Sequence, residues 1–121
     1  MRWLPLAASL AFAGCSNSSP APEVPGPVNV TVTITAAGAD LRSITVPLGA
    51  RVRFVNNDSR SHNMTSDPHP EHDLCPALNQ VGFLRPEQQR ETGNLVEAGT
   101  CGFHDHDDPN FVNLHGQITA R

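Results

Sequence analysis

The sequence has no tyrosine, and its single tryptophan, Trp3, stands at the extreme N-terminus. A chain processed beyond that point absorbs weakly in the near ultraviolet, so bands from a bound group would stand clear. Basic residues are few: Lys and Arg total 8 against 12 Asp and Glu, for a formal charge of −4. No basic stripe forms, which argues against nucleic acid as a partner. No segment shows a helical period and no internal repeat occurs, which excludes bundles and solenoids. There is neither a phosphate-cradling glycine loop nor a Ser-His-Asp or Cys-His triad order. No apolar run is long enough to cross a bilayer as a mature helix.

The longest apolar run, Trp3 to Ala13, follows the single positive charge of Arg2 and has the form of an export signal. It ends in Phe12-Ala13-Gly14-Cys15, which resembles a bacterial lipobox, although that motif usually carries Leu where Phe12 stands. The resemblance implies cleavage after residues 1–14 and lipid on Cys15; an ordinary secretory signal is the alternative. Residues 15–27 then form a Ser/Pro-rich tether that cannot bury a core. The expected domain is residues 28–121, large enough to bury roughly 60–70% of its unfolded surface. This organisation implies an extracytoplasmic location, periplasmic or at the outer surface, with the membrane as partner through the N-terminal lipid. Of the three cysteines, Cys75 and Cys101 remain, and two thiols in an oxidising compartment usually pair.

Val28 to Thr35 alternates strictly, with Val28, Val30, Val32 and Ile34 on one face and Asn29, Thr31, Thr33 and Thr35 on the other. That is the pattern of a half-buried strand. Ile44 and Val46 begin another, and Arg51 to Asn56 alternates again around Val52 and Phe54. Ser61 to Asn79, rich in Pro, His and Asp, is expected as a long loop. Short strands follow at Val81 to Leu84, Arg90 to Val96, Thr100 to His106 and Leu114 to Ala120. Short strands separated by Gly/Pro turns predict an all-β sandwich or barrel.

All six histidines lie after residue 60: His62, His69, His72, His104, His106 and His115. A metal accounts economically for the clustering, since neutral imidazole is the commonest protein ligand for copper and zinc. His62, His104 and His106 are the candidates. His69, His72 and His115 are read as solvated loop residues, with additional or loose metal ligation beside Asp67, Glu71 and Asp73 as the alternative for His69 and His72; Met64 is read as packing, with a soft axial donor as its other role.

Two segments carry a family resemblance. Val52-Arg53-Phe54-Val55-Asn56-Asn57-Asp58 with Ser61-His62-Asn63 resembles the strand and first copper-ligand histidine of plastocyanin-like and azurin-like cupredoxins. Gly99 through Pro109, with Leu114-His115-Gly116-Gln117-Ile118, resembles their final hairpin, whose loop holds the remaining ligands. The resemblance implies a Greek-key β-sandwich of cupredoxin type. It leaves two registers for the hairpin. In one, Cys101-Gly102-Phe103-His104 matches the family's Cys-x-x-His, so His62, Cys101 and His104 would form a blue copper site, with non-ligating Leu114 at the axial methionine position. In the other, Gly99 opens the strand and Asp105 takes the thiolate position. That register leaves more strand ahead of the ligand position and needs a smaller insertion. It also frees Cys101 to pair with Cys75, a crosslink worth roughly 3.5 kcal/mol. The metal set is then His62, His104 and His106, an all-imidazole type 2 copper or zinc site.

Three functions follow. The first is an exported copper-binding lipoprotein that handles copper or transfers electrons with a redox or copper-handling partner. The second is a metal-free, disulfide-stapled envelope interaction module. An enzyme is the weakest reading, because no residue stands in an obvious general-base role.

Overall fold

The computed structural model describes residues 23–121. The expected signal, the Cys15 lipid site and most of the tether lie outside the described residues. The strands are β1 (Val28–Thr35), β2 (Gly38–Ala39), β3 (Ser43–Val46), β4 (Arg51–Asn56), β5 (His62–Ser66), β6 (Gly82–Leu84), β7 (Gln89–Glu91), β8 (Gly99–Asp105) and β9 (Gly116–Ala120). They form a four-stranded sheet, β2-β1-β4-β7, and a five-stranded sheet, β3-β9-β8-β5-β6. β1 pairs parallel with β4 and β3 with β9, while the other pairs are antiparallel. Parallel neighbours cannot be joined by a hairpin, so the chain passes repeatedly from sheet to sheet.

The alternation in β1 and β4 becomes the core in a direct way. Val32 and Ile34 of β1, and Val52 and Phe54 of β4, are fully buried while their neighbours are partly or fully open. Ile44, Val46, Met64, Leu84, Phe103 and Ile118 close the core from the other sheet. At its centre the Phe54 and Phe103 rings meet edge to face, 5.2 Å between centroids, the arrangement favoured by aromatic quadrupoles. Gly116 lies on the Phe103 ring, where a Cβ would come within 2.3 Å of ring carbon Cζ. Only glycine lets β9 approach this closely.

Three segments differ from the sequence expectations. Ser61 to Asn79 is not one long loop: it contains β5 and a 3₁₀ turn at Pro76–Gln80. β5 carries buried His62, Met64 and Ser66 on one face, but polar residues at inward positions hide such a strand from a hydrophobicity pattern. The expected Arg90 to Val96 strand shortens to Gln89–Glu91, and Thr92 instead accepts the Val52 N–H on its hydroxyl. The tether also ends early, because Arg51 Nε donates to the Gly26 carbonyl at 2.7 Å and Asn94 holds both Gly26 and Val24.

Candidate metal centre

β8 organises the polar residues, because side chains alternate along a strand. Cys101, Phe103 and Asp105 share its inner face, and His104 points the other way. On the inner face, His62 of β5 lies between two carboxylates. Its Nδ1 is 2.7 Å from Asp105 Oδ2 and its Nε2 is 2.8 Å from Asp58 Oδ2. All three residues are buried.

The carboxylates are themselves held. Asp105 accepts the Asn63 and Asp107 N–H groups, each at 3.0 Å. Asp58 accepts the Ser59 N–H at 2.7 Å and Arg60 Nε at 3.3 Å. The hydrogen bond from His62 holds the Asp58 carboxyl below the usual carboxylate range, against burial that raises it. Asn56 completes the corner, donating to the Arg60 and Leu84 carbonyls and accepting the Asp58 N–H.

The outer face of β8 is built differently. His104 is 1% exposed, covered by the segment that runs from Asp67 to Cys75. Its Nδ1 is 2.5 Å from Asp67 Oδ1. A carboxylate on Nδ1 fixes that nitrogen as the proton carrier, so Nε2 keeps its lone pair. Nε2 is the one buried side-chain nitrogen or oxygen among the described residues without a hydrogen-bond partner. Such an atom is costly in a folded protein and calls for an explanation.

His69 and His72 provide one. One ring nitrogen from each of His69, His72 and His104 lies within 4.8 Å of the others, a spacing that suits one metal ion. The His72 ring stacks on His104 with centroids 4.9 Å apart. Its Nδ1 donates to the Ser66 carbonyl at 2.8 Å, which leaves Nε2 as the acceptor, and Nε2 lies 2.8 Å from His106 Nδ1. His69 is exposed, with its ring 5.2 Å from that of His106. Its proton affinity is lowered, first by neighbours that exclude water from the ring and then by the charges of His106, His72 and His104. A neutral ring is the form that binds metal.

Gly102 makes this arrangement possible. A Cβ there would fall 1.9 Å from Asp67 Oδ2, so only glycine lets the carboxylate lie across β8 and reach His104. The Asp67 N–H donates to the Gly102 carbonyl at 3.0 Å, tying the segment to the strand.

The expected metal set is thus divided. His104 and His106 belong to the outer cluster, whereas His62 lies on the opposite side of β8 with both ring nitrogens engaged by carboxylates. His69 and His72, read from sequence as solvated, complete the cluster. Their signal was the His-x-x-His spacing just after Asp67. His115 Nε2 donates to the Pro109 carbonyl at 2.6 Å, with its ring 5.9 Å from that of His104. Met64 is fully buried in the core.

Cys101 is no partner for His62. It precedes Asp105 by four residues, about 13 Å along an extended strand, and Asp105 is the residue that touches His62. Copper of the blue type does not fit this corner: both ring nitrogens of His62 face carboxylates, and neither of these partners is a cysteine. The expected Cys75–Cys101 disulfide is also absent. Both are free thiols, and they line the same cavity.

No family model and no curated protein matches the chain. Solved structures do. A Cu(I) form of an amicyanin variant is 20% identical over 76% of this chain and 81% of its own, with a TM-score of 0.59. Oxidised plastocyanin from Dryopteris crassirhizoma is 20% identical over 75% of this chain and 99% of its own, with a TM-score of 0.58. A purple cupredoxin from Nitrosopumilus maritimus is 18% identical over 77% of this chain and 100% of its own, with a TM-score of 0.56. The described residues therefore adopt the cupredoxin fold, a β-sandwich of two sheets.

Proposed function

We propose that this chain is a copper-holding module, with the ion bound by His69, His72 and His104 on the outer face of the five-stranded sheet. The observation that carries the reading is the buried, unpartnered Nε2 of His104, next to two further imidazoles. Bound copper would offer redox and Lewis-acid chemistry, and the surrounding residues determine how much of it is used.

Asp67 orients the His104 ring. The Ser66 carbonyl does the same for His72. His106 donates to His72 Nε2 without metal, and this contact must yield before His72 can ligate. The donors are all nitrogen. Imidazole sites favour copper(II) over zinc at equal availability, and the amicyanin that shares the fold is a copper protein in the form compared. Electron transfer of the blue type has no thiolate to support it here. Storage, buffering or delivery of copper to a partner protein suits such a site better. Export by the Met1–Gly14 signal and anchoring at Cys15 belong to the same proposal and rest on sequence alone.

Titration of the full chain with copper(II), followed by paramagnetic resonance, tests the reading. One equivalent with a type 2 spectrum and no intense blue band is expected, and His104→Phe should weaken uptake at least 100-fold. An intense copper–sulfur band, or uptake unchanged in His104→Phe, would sink it. Stronger stoichiometric binding of zinc than of copper would reassign the metal. Loss of stoichiometric uptake altogether would leave the metal-free interaction module.

A further inference from the structure

The two remaining cysteines come from different parts of the chain. Cys75 precedes the 3₁₀ turn Pro76–Gln80, and Cys101 is the third residue of β8. The fold brings both half-buried thiols to the wall of one apolar cavity of about 250 Å³, lined also by Leu74, Leu95, Val96 and Ile118. The imidazole cluster uses neither sulfur.

We infer that Cys75 and Cys101 form a second metal site, which takes a soft monovalent d¹⁰ cation, copper(I) above all, between the two sulfurs. The geometry supplies two sulfur donors and no third ligand among His, Asp or Glu in the cavity wall apart from Glu97. Soft thiolates select copper(I), whereas carboxylates and carbonyls suit hard divalent ions. A two-sulfur site satisfies a cation content with two ligands and leaves a tetrahedral or octahedral ion incomplete.

When the cation binds both sulfurs as thiolates, the thiol protons leave to solvent, two metal–sulfur bonds form and no electron moves.

The two sites share their supports. The segment from Asp67, which orients His104, ends at Cys75, whose N–H donates to Ser66 Oγ at 2.8 Å. The chain thus offers nitrogen donors for oxidised copper and sulfur donors for reduced copper along one segment and the strand β8 beneath it.

The test is anaerobic competition of the reduced full chain against a chromogenic copper(I) chelator, with circular dichroism to verify folding of each variant. The wild-type chain should withdraw one equivalent. Cys75→Ser and Cys101→Ser should each weaken this at least 100-fold while leaving copper(II) uptake unchanged. His104→Phe should retain the copper(I) affinity. Failure of the wild-type chain to compete, full affinity in folded serine variants, or loss of affinity in His104→Phe would each overturn the assignment. Because copper(I) and copper(II) are read separately, failure of the sulfur site and failure of the imidazole site are distinguishable.

Discussion

His104 and Asp105 are neighbours in sequence, yet they serve two histidine–carboxylate clusters on opposite faces of β8. On the inner face, His62 has a carboxylate at each ring nitrogen, and every group around it has a partner. On the outer face, His104 has a carboxylate at one nitrogen and nothing at the other. The inner ring is a crosslink between β5, β8 and the turn after β4. The outer ring has a nitrogen left free for a ligand. The two rings are equally buried, and what separates them is whether a lone pair is left over.

The largest expected effect separates the two clusters. Asp105→Ala leaves His62 with an unmatched buried nitrogen, so it should cost about 3–5 kcal/mol in chemical denaturation. Copper(II) affinity of the folded fraction should not change. A variant as stable as the parent would show that the inner cluster holds nothing together.

A smaller effect is expected on the outer face. Gly102→Ala must displace Asp67 from His104, so copper(II) affinity should fall about 10- to 100-fold, the usual consequence of losing a partner that orients a ligand. Calorimetric titration measures this directly, and an unchanged affinity would mean that Asp67 does not orient the ring.

The smallest effect is a pH slope. The folded-state pKa of Asp58 is depressed by His62, so its stabilisation is complete above the unfolded value of about 3.9 and is lost as pH falls through the folded value. Acid should therefore destabilise the wild type below about pH 4 more steeply than Asp58→Asn, by at most about 1.4 kcal/mol per pH unit. Parallel acid titrations of the two proteins would remove this role.

The two sheets were unequally legible in the sequence. The strict alternations of β1 and β4 were readable because both strands bury only apolar side chains at their inward positions. β5 was not, since His62, Met64 and Ser66 give no apolar period. The histidine clustering indicated a metal, but the choice among six rings depended on which face of β8 each one meets and which carboxylate reaches it. His69 and His72 reach His104 only because the segment after Asp67 folds back over the strand.

Local patterns therefore determined that this chain makes a β-sandwich and that imidazoles gather near its last hairpin, since period and composition are properties of short stretches. Which nitrogen keeps its lone pair, and whether two cysteines are bonded or merely adjacent, was decided by tertiary structure. Both depend on contacts between residues 26 to 43 positions apart, and the separation of partners along a chain carries no record of the angle at which they meet.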